Sequence, residues 1–235
     1  MTIVRAAFLF VVTLLSFAIG VALFHPESPL PDEWHPFRPL NVADPITPLT
    51  NWKLSNVRAN PELCLAVVSA ASNISPLEDK VETEDCEISN RVSFSKVGQT
   101  RISELETACQ TTLALAMWER HSLQPRAEEI LGTKVTGIRQ LGSYSCRQIR
   151  TASGQGNRWS THARALAIDV SGFDFADGRR LRLIDDWDGA GDGSAFLKAV
   201  RDDACDWFGL TLSPDFNALH ADHYHLQVPG WGRCR

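Results

Sequence analysis

The chain opens on an apolar run, Ala6 to Phe24, with only Thr13 and Ser16 as polar members. Wound as a helix at about 1.5 Å per residue, it spans roughly 28 Å, close to the hydrocarbon thickness of a bilayer. Arg5 precedes the run, and Glu27, Asp32 and Glu33 follow it. That polarity predicts a signal anchor over residues 1–24, with its N-terminus cytoplasmic and the rest of the chain across the membrane. The alternative is a cleaved signal peptide and a secreted domain. Such peptides have a shorter apolar core ending in small residues, whereas this run ends Val21-Ala22-Leu23-Phe24-His25-Pro26. Prolines then recur from Pro26 to Pro48, which predicts an extended, semi-rigid linker over residues 25–50.

Residues 51–235 alternate between helical and strand-like patterns. Asn60-Pro61 is a helix start, and Leu63, Ala66, Val67 and Ala70 form its apolar stripe. Leu105, Ala108, Thr112, Leu115 and Trp118 recur at three-to-four spacing and predict a longer helix from about Ser103 to His121. A short helix runs from Pro125 to near Gly132, and a strand follows from Val135 to Leu141. Leu166-Ala167-Ile168-Asp169-Val170 reads as a buried strand. Asp177-Gly178 marks a turn into an alternating strand, Arg180 to Ile184. Ser194 is the expected cap of a helix that stops before Gly209, and His223 to Val228 is the last strand. The fold class expected is α+β, a small antiparallel sheet carrying a metal site and flanked by helices.

A net charge of −5 gives no basic stripe for phosphates and argues against nucleic acid as a partner. Six cysteines behind an export-like segment suggest an oxidising compartment and a disulfide-stabilised domain. The absence of a C-x-x-C pair speaks against metal thiolates. Sequence alone leaves the pairing open. The pairing expected from loop closure and from tethering the C-terminal tail is Cys64–Cys86, Cys109–Cys146 and Cys205–Cys234.

The chemistry concentrates in His220-Ala221-Asp222-His223-Tyr224-His225 and in the stretch from Ser160 to Asp169. On a strand, alternate residues share a face, so His223, His225 and Gln227 point one way and Tyr224, Leu226 and Val228 point into a core. His162 follows a polar, glycine-containing loop, Ser153 to Ser160. Asp169 interrupts an apolar run, where a carboxylate is costly unless a cation or hydrogen bonds compensate it. Two imidazoles and one carboxylate leave a fourth tetrahedral position of Zn²⁺ open, the pattern of a catalytic site. The acidic loop Asp186 to Gly193 lacks the fifth- and twelfth-position oxygens of a calcium loop and reads as a cleft rim. Trp159 and Trp187 either stack on substrate there or belong to the core.

Ser160-x-His162, six residues, then Asp169, followed by His220-x-Asp222-His223-x-His225, resembles the zinc peptidases grouped with lysostaphin, the D-alanyl-D-alanine peptidases and Hedgehog. The closing motif is most similar to that of the penicillin-insensitive murein endopeptidases. From Pro61 onward the chain also resembles the bacterial extensin-like C-terminal domain, through Gly142 to Arg147, Ala167 to Phe173 and the final histidines. One departure is Ala165, where many of the peptidases have glycine. The resemblance implies a zinc-dependent hydrolase, an endopeptidase or D,D-carboxypeptidase acting on peptidoglycan peptides. In that reading His162, Asp169 and His225 hold Zn²⁺, and His223, or else His220, is the base. Arg147 supports an oxyanion or a substrate carboxylate, and Asp222 orients an imidazole. Ser160 caps its loop or contacts substrate. A non-catalytic zinc-containing scaffold that binds the cell wall is the alternative.

Overall fold

The computed structural model describes residues 2–25, 27–151, 154–230 and 233–234. Pro26, the first of the linker prolines, and Ser153, the first residue of the expected loop before His162, lie outside them. The described chain divides into two compact units, residues 1–59 and 60–235.

The first unit begins with helix α1, Thr2–Phe24. Among the described residues it is the one helix long and apolar enough to cross a membrane (Ile3–Phe24, mean hydropathy 2.6), which fits an anchor or a signal sequence. The proline-dense stretch is not the extended spacer its composition suggests. A 3₁₀ turn forms at Asp32–Trp34, and the Thr47 hydroxyl donates to the Glu33 carbonyl at 3.1 Å. Phe37 lies against Phe24, with ring centroids 5.5 Å apart. Proline fixes φ but permits turns, and side-chain hydrogen bonds close them here. Helix α2, Thr50–Ala59, ends the unit.

The second unit starts as expected at α3, Pro61–Ala71, where Asn60 Oδ1 accepts from the Leu63 amide at 3.1 Å. Its buried face is Cys64, Val67 and Val68, rotated from the expected stripe, and Leu63 is exposed. Strands β1 (Ile74–Pro76), β2 (Lys80–Thr83), β3 (Cys86–Ile88), β4 (Arg91–Val97) and β5 (Thr100–Ala108) follow. The expected helix from Ser103 therefore begins only at Cys109, where α4 (Cys109–Trp118) starts. Thr100, Ile102, Leu105 and Thr107 are buried while Arg101, Ser103 and Glu106 are exposed. Leu105 and Ala108 lie three apart by coincidence with helical spacing. The turn at Gly98 (φ +54) sends β5 back along β4, and the buried Glu119 carboxylate accepts from Gln99 N and Thr100 Oγ1 there.

From α4 the helix continues without a break through π-helical Glu119–Leu123, α5 (Gln124–Arg126) and π-helical Ala127–Leu131. Pro125 thus sits inside a helix rather than opening one, in company with wide turns that suit a residue lacking an N–H donor. Gly132, in the left-handed region, ends it. The remaining elements are β6 (Val135–Gly142), β7 (Gln148–Thr151), β8 (Gly154–Trp159), β9 (Ala167–Phe175), β10 (Arg180–Arg182), α6 (Leu183–Asp186), α7 (Asp192–Ala204), β11 (Leu210–Leu212), β12 (Tyr224–Gln227) and β13 (Arg233–Cys234). The cap of α7 is Gly191; Ser194 lies inside the helix and its hydroxyl donates to the Trp187 carbonyl at 2.6 Å.

The class is α+β, but the sheet is neither small nor purely antiparallel. Nine strands run in the order β1-β4-β5-β6-β9-β12-β11-β13, with β10 on β9. The β5–β6 and β11–β13 pairs are parallel. Helices cover one face, where Trp118, Phe173, Phe196 and Tyr224 are fully buried and meet edge-to-face. Tyr224 OH donates to the Leu197 carbonyl at 2.8 Å, tying β12 to α7.

Three disulfides close the domain, but two pair otherwise than expected: Cys64–Cys109 and Cys86–Cys146, with Cys205–Cys234 as anticipated. Cys109 opens α4, which packs on α3, and so it meets Cys64. Reading β5 as helix concealed that start.

Candidate metal centre

The centre is built on the face of the sheet opposite the one into which Tyr224 points. Ser160 caps a 3₁₀ turn, Thr161–Arg164, its Oγ accepting from the His162 amide at 3.3 Å. The turn ends at Ala165, fully buried with φ 48 and ψ 30, the left-handed backbone that glycine adopts most cheaply. Alanine is held there because its carbonyl accepts the hydroxyls of Thr107 (2.9 Å) and Thr111 (2.8 Å). Strand β9 follows at once and carries Asp169, which stands directly opposite His225 of β12.

Three atoms converge. His162 Nε2 lies 3.2 Å from Asp169 Oδ1 and 3.1 Å from His225 Nδ1, and His225 Nδ1 lies 3.0 Å from Asp169 Oδ1. These residues form a group able to hold a metal ion. Ligands about 2.0–2.1 Å from a tetrahedral zinc stand about 3.3 Å apart, close to the spacing here.

The hydrogen bonds fix what these atoms offer. His162 Nδ1 lies 2.9 Å from the Ser143 carbonyl, which only accepts, so Nδ1 carries the proton and Nε2 keeps its lone pair. His225 Nε2 lies 3.3 Å from Gln227 Oε1, which also receives the Thr161 hydroxyl at 3.0 Å; Gln227 Nε2 donates to the Pro229 carbonyl. His225 Nδ1 is thereby left with a lone pair. Two imidazole lone pairs and a carboxylate oxygen facing one another repel unless a cation sits among them. The donor set fits zinc.

The other expected residues border this group. His223 Nδ1 lies 2.7 Å from Asp222 Oδ1, and its Nε2 lies 3.7 Å from Asp169 Oδ1. His220 Nδ1 lies 2.8 Å from Asn217 Oδ1, and its ring centroid is 6.0 Å from that of His225. Burial, then the neighbouring His223 and His225, lower the His220 pKa to about 4, so its ring is neutral at physiological pH. Arg147 follows the Cys86–Cys146 bridge. Burial and then Arg150 lower its pKa, and Asp169 acts the other way. Trp187 is buried in the core, whereas Trp159 is 41% exposed. Asp186 accepts from the Arg182 amide at 2.7 Å and serves the backbone.

Sequence reasoning overlooked Ser143, Asn217 and the function of Gln227. Ser143 acts through its main-chain carbonyl, which side-chain identity does not reveal. Gln227 was readable as the next residue on the His225 face of the strand.

The chain belongs to the extensin-like family: the model for the extensin-like protein C-terminus matches residues 62–235. No curated protein and no solved structure matches it, so the peptidase likeness rests on the motif.

Proposed function

We propose that the protein is a zinc-dependent peptidase of the cell envelope that hydrolyses peptide cross-links or stem peptides of peptidoglycan, with α1 as its inner-membrane anchor and the catalytic domain in the periplasm. The observation that carries the reading is the convergence of two imidazole lone pairs and a carboxylate within 3.0–3.2 Å, beside two further imidazoles that are not needed as ligands. Zinc held by His162, Asp169 and His225 would polarise a scissile carbonyl and bring the pKa of water to about 7.

The chain's own groups supply the proton transfers. The Asp222 carboxylate accepts from His223 Nδ1 and so keeps the lone pair on Nε2, on the side of Asp169. His223 Nε2 accepts the proton of the water that attacks the amide and returns it to the leaving nitrogen. His220, neutral and held by Asn217 at Nδ1, accepts a hydrogen bond at Nε2 and orients the water or the leaving amine. Arg147 donates to the carbonyl oxygen as negative charge develops on it.

Zinc quantification and mass spectrometry of muropeptides test this together. His162→Ala and His225→Ala should each lose both the metal and the cleavage. Hydrolysis retained in a zinc-free His225→Ala protein ends the proposal.

A further inference from the structure

From Ile130 to Ile168 the chain carries Lys134, Arg139, Arg147, Arg150, Arg158 and Arg164 and not one Asp or Glu, in a molecule of net charge −5. Three of these cations find carboxylates nearby. Lys134 meets Glu128 at 3.8 Å, Arg139 meets Asp174 at 3.0 Å, and Arg164 meets Glu87 at 3.9 Å. Among the described residues no carboxylate lies within the 4.0 Å of an ion pair from Arg147, Arg150 or Arg158.

Those three belong to one structure. Strands β7 and β8 pair only with each other and form a hairpin apart from the main sheet. Arg150 and Arg158 are exposed on it, and Arg147 sits at its root. Both ends of the hairpin are fastened at the metal centre: the Arg147 carbonyl accepts the Ser160 amide at 3.1 Å, and Ser160 caps the turn that carries His162. Gln148 is paired with Trp159, and Arg150 with Gln155. Opposed residues, and residues two apart on a strand, share a face, so β7 carries Arg150 on the side of Trp159 across a register shift between Gln148 and Arg150, while Arg158, adjacent to Trp159, stands on the other side. Arg147 and Arg150 are near enough for one positive charge to depress the basicity of the other. Like charges held together without a counterion are relieved when an anion joins them.

We propose that the β7–β8 hairpin is the recognition arm of this centre and that it takes a carboxylate-bearing peptide, with Arg150 and Arg158 taking substrate carboxylates on its two faces and Trp159 offering a flat apolar surface beside Arg150. The inference rests on the peptidase reading for its location and adds the charge of the substrate. Peptidoglycan stem peptides, which bear free carboxylates, meet that requirement; guanidinium groups pair with carboxylates in bidentate fashion.

The test is co-sedimentation of the full-length, zinc-loaded protein in detergent with purified peptidoglycan sacculi, native or with carboxyls amidated by carbodiimide and methylamine. Binding to native sacculi should weaken about tenfold on amidation, and equally in Arg150→Gln/Arg158→Gln, as expected for losing two exposed ion pairs. Arg150→Lys/Arg158→Lys should recover most of it. Failure of the wild type to bind, or equal binding to native and amidated sacculi, overturns the inference. Binding that needs both the carboxylates and the arginines, with no fragment released, supports the arm while ending the peptidase reading. Fragments released equally from both sacculi by wild type and by the glutamine variant leave the peptidase reading standing and overturn the arm.

Discussion

The Thr161 hydroxyl donates to Gln227 Oε1 at 3.0 Å, and this bond ties the turn that carries His162 to the strand that carries His225. The same oxygen receives the His225 ring, so one amide sets both the tautomer and the spacing of two ligands from distant parts of the chain. Gln227→Leu should lower zinc affinity about 10–100-fold, the usual effect of losing a partner that orients a ligand. Competition with a chromophoric chelator measures it; unchanged affinity would show that the amide is incidental.

Tyr224 stands between His223 and His225 in sequence and points into the core, with Trp118 and Trp187 edge-on to its ring. Tyr224→Phe should cost about 1 kcal/mol, for the lost bond to the Leu197 carbonyl. Tyr224→Ala should cost about 3–5 kcal/mol and loosen zinc as well, because the strand loses its seat. Denaturant unfolding of the metal-free protein separates the two effects.

Ala165 holds a backbone conformation that a β-branched residue takes only with strain. Ala165→Val should destabilise the protein by about 2 kcal/mol and weaken zinc binding, whereas Ala165→Gly should keep the zinc. Equal stability of alanine and valine here would mean that the turn relaxes freely.

Asp215 accepts from Trp187 Nε1 at 2.8 Å and pairs with Arg201 at 3.0 Å. Burial raises its pKa, but these donors outweigh burial and hold it below its ordinary value. The unfolded value is about 3.9, so the contribution to stability is fully present above that pH and is lost as pH falls through the folded value. The stability of metal-free protein should drop below about pH 4, and Asp215→Asn, weaker at neutral pH, should drop less over that interval. Parallel pH profiles for the two proteins would refute the assignment.

What the chain discloses in sequence is local. The alternation of Tyr224 to Val228, the cap at Asn60-Pro61 and a lone Asp169 in an apolar run each report on a few neighbours, and each matches the fold. The residues 103–108 deceive because Leu105 and Ala108 satisfy a helical spacing while Thr100, Ile102, Leu105 and Thr107 form the buried side of a strand. What decides between the periods is β4, a partner that local spacing does not reveal. That error conceals the start of α4 and with it the partner of Cys64. The Ser143 carbonyl beside His162 is a main-chain group, placed by the path of the fold and independent of the side chain.

The Cys86–Cys146 bridge anchors the residue just before Arg147, while none of the three ligands is covalently restrained at its own position. In the proposed enzyme, ion uptake and alignment of the guanidinium would therefore be separable steps in maturation. A reduced form of the proposed enzyme would still gather its cation, while the root of the arginine hairpin would rest on backbone hydrogen bonds, such as that from the Ser160 amide to the Arg147 carbonyl, until thiol oxidation added the covalent tether. In the enzyme proposed here, full competence would follow export rather than synthesis.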